Sequence, residues 1–336
     1  MTSPAPFDLL VYKPAYERHR DTIDALANAL VMDDDGVVWR GAEQVAAESV
    51  QPRAAWANRD LYNEGPVRAF MIACLKSKAL EWLQSSAAGF EAPVFGKLVG
   101  NGVTLTNANA SAVPIAEFVM AQVLSAFHPT VERLEAQSSR NWQSMDFRDV
   151  YGTTWLIYGM GHVGTEIALR ARAFGATVIG ARRTPRGDEP VDEMVSGNEA
   201  LAGAFARADV IVLSAALNQH NQHIINTELL KTLKTNTVLV NIGRGGLIDE
   251  DALLAGLHAG KPDLAILDVF ETEPLPEDHP LWTHPRVRVT AHCAGASPAT
   301  GSRGDAIFLD NLKRFADGTP LKMQVKELGG NDAKVN

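Results

Sequence analysis

The segment TTWLIYGMGHVGTEIALRARAFGATVIGARRTPR, at residues 153–186, decides the fold. An apolar run at residues 154–158 predicts a strand, GMGHVG follows at residues 159–164, and helical spacing continues to Phe174. A G-x-G-x-x-G turn between a strand and a helix is typical of dinucleotide-binding α/β domains. The segment therefore predicts such a domain, and a glycine turn without any ligand is the alternative.

Each glycine of the turn has its own geometrical task. Gly159 permits the tight turn, Gly161 lets the backbone approach a pyrophosphate, and Gly164 allows the helix to pack closely on the strand. The helix N-terminus, near His162 and Val163, offers free N–H groups and the positive end of the helix dipole. We therefore expect these five residues to contact the cofactor.

The end of the second strand indicates which cofactor is used. In an NAD-dependent enzyme, an acidic residue about 20 residues beyond the turn accepts hydrogen bonds from the ribose. Arg182 stands there, followed by Arg183 and Thr184, and no carboxylate occurs at residues 177–187. A guanidinium can bind a 2′-phosphate through two hydrogen bonds, so NADP (as NADPH) is favoured and NAD is the weaker alternative. A solvated basic loop is the other interpretation of these arginines.

Strand-like runs recur around the turn in the rhythm of a parallel sheet. They lie at residues 154–158, 177–179, 210–214, 238–242, 265–269 and 288–290. Six strands with helices between them match a doubly wound dinucleotide-binding fold.

The N-terminal part of the chain, residues 1–108, is interpreted as a first α/β unit. Apolar runs at residues 67–74 and 80–84 are interpreted as buried strands, and residues 16–31 have helical spacing. Strands that alternate with helices again predict a parallel sheet.

Two helices are predicted where the units join. Ser111 is a candidate N-cap for a connecting helix that we expect to extend to about Arg133. A helix at residues 302–315 has no strand after it, which suggests that the tail returns to the first domain.

Composition limits the possible partners. The chain has 336 residues, a net charge of -9 and 46% hydrophobic residues, which suits a globular protein of two domains. Nucleic acid and anionic membranes both favour a basic face, so we expect neither as a partner. Two cysteines, Cys74 and Cys293, cannot build a disulfide framework, and the N-terminus lacks the basic and apolar regions of a signal peptide. These features predict a cytoplasmic protein.

A pair of histidines, His220 and His223, is the candidate for a metal site. The pair lies in a polar stretch, and no third ligand follows at a useful spacing. We therefore interpret it as a solvated loop and expect no metal.

Three charged or titratable residues follow successive predicted strands. Arg244 lies in NIGRGGLIDEDAL, Glu273 in LDVFETEPLP and His292 in VTAHCAG. The carboxyl ends of parallel strands meet at the edge where such sheets bind ligands. Each residue alone has an ordinary interpretation, as a surface cation, a solvated acid or a core histidine, but their shared placement predicts a site.

Together these residue types suit hydride transfer to or from a small 2-keto or 2-hydroxy acid. Arg244 can bind the substrate carboxylate through two hydrogen bonds, and His292 can protonate the carbonyl oxygen. Glu273 can accept a hydrogen bond from the other ring nitrogen of His292, which fixes the tautomer and favours the protonated ring.

The segments GMGHVG, NIGRGGLIDEDAL, LDVFETEPLP, PLW and TAHCAG resemble the D-isomer-specific 2-hydroxyacid dehydrogenase family, in particular its glyoxylate/hydroxypyruvate reductase branch. The resemblance implies two Rossmann-like domains, a doubly wound parallel-sheet cofactor domain and a smaller flavodoxin-like substrate domain. It places the substrate domain at residues 1–108 plus 296–336 and the dinucleotide-binding domain at residues 109–295. It also implies a homodimer and the catalytic roles given above.

The resemblance implies further contacts. The substrate loop of the family is matched by SSAAGFE, where backbone N–H groups of Ala88 and Gly89 would help to hold the substrate carboxylate. Ala87 stands where the family often has glycine. Ile242 would contact the cofactor through its backbone, and Asp268 would lie near the nicotinamide amide.

Two other functions stay open beside NADPH-dependent reduction of a 2-keto acid, such as glyoxylate or hydroxypyruvate, to the D-2-hydroxy acid. A dehydrogenase of another small anion, such as formate or phosphite, would use the same fold. Formate enzymes of this type carry Gln where Glu273 stands, which counts against that function. A dinucleotide-sensing binding protein, such as a corepressor on this fold, can retain the catalytic residues, so the motifs do not exclude it.

Overall fold

The structure is a computed structural model that describes residues 6–87, 89–90 and 92–325. The chain forms two compact units. The first combines the chain up to Ala110 with the chain from Ser297, and the second comprises Ser111–Ala296. Each unit is built around its own sheet.

The first unit contains a seven-stranded sheet in the order β4-β3-β2-β1-β5-β6-β7, as far as the chain is described. Its strands are β1 (Phe7–Tyr12), β2 (Ala27–Met32), β3 (Val38–Arg40), β4 (Glu43–Gln44), β5 (Ala54–Ala57), β6 (Trp82–Ser85) and β7 (Thr104–Asn107). Strands β2, β1, β5, β6 and β7 pair in parallel in that spatial order. Strands β3 and β4 extend the sheet beyond β2 in antiparallel pairing. The parallel part has the flavodoxin-like strand order.

Helices cover this first sheet. They are α1 (Lys13–Asp24), α2 (Arg59–Glu64), α3 (Val67–Lys76), α4 (Pro93–Gly100) and, from the end of the chain, α11 (Pro298–Ala316). The last helix packs on the first sheet through Phe308, whose ring stacks on Trp56 with centroids 3.8 Å apart. The helix and the sheet both bury apolar side chains there, which is the main source of stability for such a layer.

The second unit contains a sheet of seven parallel strands in the order β10-β9-β8-β11-β12-β13-β14. The strands are β8 (Thr154–Tyr158), β9 (Thr177–Ala181), β10 (Glu193–Val195), β11 (Val210–Leu213), β12 (Val238–Asn241), β13 (Leu264–Leu267) and β14 (Val287–Val289). This is the doubly wound order, with a switch point between β8 and β11 where such sheets bind ligands. The predicted fold class is confirmed.

The helices of the second unit lie between these strands or precede them. They are α5 (Ala112–Phe127), α6 (Thr130–Ser138), α7 (His162–Ala173), α8 (Asn198–Arg207), α9 (Thr227–Thr232) and α10 (Glu250–His258). Both faces of the sheet are covered, so every residue of β11 and β12 is buried. This double burial explains why the central strands are continuous apolar runs.

The prediction that residues 67–74 form a strand is wrong, because they lie in α3. The buried side chains of this helix are Phe70, Met71 and Cys74, whereas Ile72 is 41% exposed. A spacing of one and four residues marks one face of a helix, and an apolar run as short as this one hides that period.

Other elements also differ from prediction. The helical spacing at residues 16–31 covers both α1, which ends at Asp24, and β2. The connecting helix ends at Phe127 because Pro129 cannot continue it, and α6 begins at Thr130. The short edge strand β10 was not predicted, since three residues give too little alternation to detect.

No helix in the described ranges is long and apolar enough to cross a membrane. The helix of α5 is the most apolar of the longer ones, and its buried face packs on β8 and α7 within the second unit.

Candidate active site

The glycine turn joins β8 to α7 and is shaped by its own backbone. Gly159 has φ of +110°, and a Cβ there would lie 2.4 Å from the backbone nitrogen of Ala215. The carbonyl of Gly159 accepts a hydrogen bond of 2.8 Å from the hydroxyl of Ser214. Only glycine satisfies both the positive φ and the close approach of the strand-end loop after β11.

The other two glycines of the turn differ in their surroundings. A Cβ on Gly164 would lie 2.2 Å from the carbonyl oxygen of Gly159, so this position requires glycine for helix packing. A Cβ on Gly161 would have no heavy atom within 4 Å. The open space at Gly161 fits a ligand that approaches the backbone, as a pyrophosphate does in this type of turn.

The N-terminus of α7 adds hydrogen-bond donors to this space. Gly161 is its N-cap and supplies no side-chain cap, and the first helical bond inside the turn runs from Thr165 N–H to Gly161 O at 2.9 Å. The N–H groups of His162, Val163 and Gly164 therefore have no partner within the helix. Such a helix end fits the phosphates of a dinucleotide.

His162 is the first residue of α7. Partial loss of hydration at its ring disfavours the charged imidazolium, and the positive charge of Arg186 repels it. The pKa of His162 therefore lies below the ordinary 6.5. Arg186 therefore acts on the same helix end as the glycine turn, although it comes from the loop after β9.

Arg182 follows β9 directly and is held by two acceptors. Its Nη1 donates to the carbonyl of Met160 in the glycine turn and to Oε1 of Glu189, each at 3.2 Å. The side chain of Glu189 is only 2% exposed, and its carboxylate also accepts from the N–H groups of Arg186 and Gly187 at 2.8 and 2.9 Å. The predicted cofactor arginine thus has an acidic partner that the sequence pattern did not indicate.

The rest of this loop is exposed and basic. Arg183 and Thr184 are exposed, and Arg186 pairs with Asp188 at 3.1 Å. The three arginines at positions 182, 183 and 186 lie in one segment beside the glycine turn. This arrangement fits an anionic group at the ribose end of a dinucleotide.

Arg244 lies in a turn after β12 that Asn241 shapes. The side chain of Asn241 donates to the carbonyl of Arg244 at 3.0 Å and accepts from the N–H of Gly243 at 3.1 Å. Asn241 is fully buried, which makes it a second functional residue that the sequence analysis missed. Its only sequence signal is a polar residue at the end of an apolar run.

Glycine is required beside Arg244 as well. A Cβ on Gly245 would overlap the carbonyl of Phe270 and approach the nitrogen of Glu271 to 2.3 Å. The Arg244 turn therefore packs directly on the backbone of the loop that carries Glu273. Ile242, which follows Asn241 directly, donates its N–H to Leu213 O at the end of β11, at 3.1 Å.

Asp268 follows β13 and organises the loop that carries His292. Its carboxylate, 2% exposed as a residue, accepts from the Thr290 hydroxyl at 2.6 Å. It also accepts from the N–H groups of Cys293 and Ala294, both at 2.9 Å. The N–H of His292 binds the carbonyl of Asp268 at 2.8 Å, and these bonds hold His292 at a φ of +48°.

His292 and Glu273 form a hydrogen-bonded pair. Nδ1 of His292 lies 2.7 Å from Oε2 of Glu273, whose Oε1 accepts from the N–H of Phe270 at 3.0 Å. Partial burial raises the pKa of Glu273. Its bonds to His292 and Phe270 and the nearby charge of Arg244 have the opposite effect and outweigh burial, so the pKa lies below the ordinary 4.5. Because an ionised carboxylate only accepts, Nδ1 of His292 carries a proton, and Nε2 takes no part in the pair.

The structure therefore brings Arg244, Glu273 and His292 together in the second unit. Gly89, from the predicted substrate loop, is half-buried in the first unit, and Ala88 lies outside the described residues. The carbonyl of the preceding Ala87 accepts a hydrogen bond from the side-chain amide of Asn107, and the N–H of Ala87 donates to the hydroxyl of Ser85.

The two histidines discounted as metal ligands have different surroundings. His223 Nε2 lies 2.6 Å from Oε1 of Glu271, and His220 is exposed. Among the described residues, no group of three or more potential ligands could hold a metal ion.

Comparisons with known proteins agree with this geometry. The sequence model of the D-isomer specific 2-hydroxyacid dehydrogenase, NAD binding domain, matches residues 120–294. D-3-phosphoglycerate dehydrogenase of Methanocaldococcus jannaschii is 34% identical over 227 residues, which are 65% of this chain and 42% of that protein. Glyoxylate/hydroxypyruvate reductase B of Yersinia pestis (strain Pestoides F) is 34% identical over 212 residues, 61% of this chain and 64% of that protein. The chain thus aligns with less than two thirds of either relative.

A solved structure extends the likeness to nearly the whole chain. The D-isomer specific 2-hydroxyacid dehydrogenase from Xanthobacter autotrophicus Py2, in complex with NADPH and MES, has a TM-score of 0.74 and 27% sequence identity. The alignment covers 96% of this chain and 98% of that one. Because the family match also covers more than half of the chain, the resemblance seen in the motifs is confirmed. The chain belongs to the D-isomer specific 2-hydroxyacid dehydrogenase family.

Proposed function

We propose that this protein reduces a small 2-keto acid of the glyoxylate or hydroxypyruvate type to the D-2-hydroxy acid, with NADPH as the cofactor. The observation that carries the proposal is the pair of His292 Nδ1 and Glu273 Oε2 at 2.7 Å, beside Arg244. The relative from Yersinia pestis named glyoxylate/hydroxypyruvate reductase B supports the substrate class.

The chemistry follows from what each side chain can do. The cofactor supplies a hydride when it is bound. Arg244 binds the substrate carboxylate, and His292 donates a proton from Nε2 to the carbonyl oxygen. Glu273 keeps the proton on Nδ1, so the ring presents Nε2 to the substrate in the same orientation throughout. Backbone N–H groups at Gly89, and at Ala88 before it, remain predicted substrate contacts.

The cofactor side of the proposal rests on the basic loop after β9. Arg182, Arg183 and Thr184 would bind the 2′-phosphate, while the glycine turn and the end of α7 would bind the pyrophosphate. Ile242 and Asp268 would lie at the nicotinamide end. The Xanthobacter autotrophicus relative, solved in complex with NADPH, supports this choice of cofactor.

The cofactor preference can be tested by exchanging the two adjacent arginines, Arg182→Asp with Arg183→Ala. The introduced carboxylate repels a 2′-phosphate and can accept from ribose hydroxyls, so we expect the NADPH/NADH ratio of kcat/KM to fall by at least about tenfold. A ratio that does not fall would contradict the proposal and favour a solvated basic loop. The control is Arg207→Ala, which removes a surface arginine of α8 and should leave this ratio unchanged.

The activity itself is tested by NADPH oxidation with a panel of 2-keto acids. We expect turnover with small members, and a loss of kcat of about a hundredfold or more in His292→Ala, the range for general acids. Arg244→Ala should lose kcat/KM similarly. Tight NADPH binding without turnover on any member would contradict the proposal and favour a dinucleotide sensor, and turnover on formate or phosphite alone would favour another dehydrogenase.

We further propose that the protein is a cytoplasmic homodimer. Apolar side chains on α6 and in the segment after it are exposed, with Leu134 at 60%, Trp142 at 103% and Phe147 at 53%. A cluster of this kind supports a second copy of the chain as the partner. Sedimentation should show a dimer that dissociates in Trp142→Glu. The control is Ile72→Glu, which changes an exposed apolar residue of α3 and should leave the dimer intact. A monomeric wild-type protein would contradict the proposal.

A further inference from the structure

A buried carboxylate underlies the basic loop. Glu189 lies among exposed, charged neighbours, yet its side chain is 2% exposed and accepts three hydrogen bonds. Two come from the N–H groups of Arg186 and Gly187, and the third comes from Nη1 of Arg182. A carboxylate surrounded by donors in this way fixes both the backbone turn and the guanidinium that it contacts.

The same guanidinium nitrogen reaches the glycine turn. Nη1 of Arg182 donates to Met160 O at 3.2 Å as well as to Glu189 Oε1 at 3.2 Å. Within the described ranges, Nε and Nη2 of Arg182 have no hydrogen bond, and the side chain is 28% exposed. Nε–H and Nη2–H are parallel and match two oxygens of one phosphate. Glu189 thus holds one corner of the guanidinium and leaves the opposite edge available.

The charge of Glu189 shows that it supplies geometry and not attraction. Burial raises its pKa, but the N–H groups of Arg186 and Gly187 and the charge of Arg182 more than offset this, so the pKa lies below 4.5. Glu189 is therefore ionised at neutral pH and cancels one positive charge of the loop. Long-range attraction of a phosphate must then come from the other arginines, while Arg182 contributes directed hydrogen bonds.

We infer that Glu189 is a positioning residue that sets the preference for the 2′-phosphate of NADPH by orienting Arg182. This rests on the proposed use of NADPH. The competing role, in which Glu189 itself accepts from the ribose hydroxyls of NADH, requires an acceptor that faces the ligand. The side chain of Glu189 is 2% exposed, and its oxygens are occupied by three donors.

The test is the dissociation constants of NADPH and NADH, measured by titration calorimetry without turnover, for Glu189→Gln and Glu189→Ala. Oε1 of Glu189 accepts from both Arg182 and the N–H of Arg186, and Oε2 accepts from the N–H of Gly187. A glutamine removes the charge and replaces one of these oxygens by an NH2 donor, so at least one of the three bonds is lost and the bond to Arg182 is weakened. We expect the dissociation constant of NADPH to rise by at least fivefold in Glu189→Gln and tenfold in Glu189→Ala. That of NADH should change by less than twofold.

Two comparisons separate positioning from a general loss of structure. Asp188→Asn removes a charge from the adjacent, 77% exposed carboxylate without touching Arg182, and should leave the NADPH affinity within twofold. In the Arg182→Ala background, Glu189→Gln should have no further effect on the NADPH affinity, because the two act as a unit. Both cofactors bind through the glycine turn, so a merely structural role would weaken them equally.

Each other outcome overturns the inference in a distinct way. Equal weakening of both cofactors would make Glu189 only a structural residue, and selective weakening of NADH would make it a ribose ligand. Tighter NADPH binding, or unchanged binding, would show that the orientation of Arg182 does not depend on it. Wild-type protein that binds NADH more tightly than NADPH would overturn the cofactor proposal, whereas a wild-type NADPH preference that persists in Glu189→Gln overturns only the role of Glu189.

Discussion

The glycine turn and the loop after β9 are adjacent in the second unit, yet they are stabilised in opposite ways. The turn from Gly159 to Gly164 depends on missing side chains, because a Cβ at either end would overlap backbone atoms. The loop depends on a side chain that is present, since Glu189 joins Arg182 to the N–H groups of two other residues. Substitutions in a site shaped by its backbone are restricted by the space available for a side chain. Substitutions in a site shaped by a side chain are restricted by the hydrogen bonds that this side chain makes.

This difference explains which parts of the site the sequence could predict. The glycine spacing states its geometry directly, since only glycine fits where φ is +110° at Gly159. Arg182 was predicted from its distance beyond the glycine turn, but its partner Glu189 was not. Glu189 lies seven residues farther along an irregular loop, and the sequence of such a loop does not indicate which way a side chain points. Pairing between side chains in a loop depends on the path of the backbone, and that path has no periodic signal.

The largest effect should come from filling the space inside the turn, with Gly164→Ala. The new Cβ would lie 2.2 Å from Gly159 O, which is backbone and cannot rotate away. We expect the free energy of unfolding to fall by about 3 kcal/mol, the upper part of the range for overpacking. Denaturant unfolding measures this.

Gly161→Ala is the matched control, because its Cβ has no heavy atom within 4 Å and its φ of -84° suits alanine. The free energy of unfolding should change by less than about 1 kcal/mol. The methyl group would nevertheless occupy the space in front of α7, so the dissociation constant of NADPH should rise. Equal destabilisation by both substitutions would contradict the view that packing acts at Gly164 and ligand approach at Gly161.

The loops after β12, β13 and β14 extend the comparison, since they are shaped both by glycines and by buried polar side chains. Gly245 is required by the backbone of Phe270, while Asn241 and Asp268 hold the adjacent turns through buried side chains. Placement after strand ends was enough to predict Arg244, Glu273 and His292 as a group. Of the residues that orient them, Asn241 was missed and Asp268 was predicted in another role. A lone buried polar residue at the end of an apolar run looks, in the sequence, like an ordinary strand boundary.

Asp268→Asn should have the next largest effect. Three donors converge on this carboxylate, from Thr290, Cys293 and Ala294, and an amide would turn a donor toward one of them. We expect the free energy of unfolding to fall by about 1–3 kcal/mol, as for an unsatisfied buried group. The value of kcat should fall as well, because the loop that carries His292 moves.

Thr290→Val provides a graded comparison for Asp268, since it removes only one of the three bonds. Its effects on unfolding and on kcat should be smaller than those of Asp268→Asn and in the same direction. If Asp268→Asn raised the dissociation constant of NADPH while unfolding and kcat stayed unchanged, the carboxylate would serve the cofactor alone, as the family resemblance implies.

The smallest effect should distinguish the two kinds of site by pH. The pKa of Glu273 lies below its ordinary 4.5 in the folded protein, so its stabilising contribution is complete above that value and is lost as pH falls through the lower one. The difference in unfolding free energy between wild type and Glu273→Gln should therefore be larger at pH 7 than at pH 3.5. Because the pair with His292 is 48% and 36% exposed, the change should stay below about 1 kcal/mol.

The backbone-shaped turn has no such carboxylate, which makes the same titration a control for the comparison. The difference between wild type and Gly161→Ala should be constant over this pH range, and the Glu273→Gln difference should shrink in a His292→Asn background because the hydrogen bond at 2.7 Å is gone. A Glu273 contribution that grows as pH falls would mean that burial outweighs the bonds to His292 and Phe270. His292 would then be oriented by the bonds of its own loop to Asp268, and not by its pairing with Glu273.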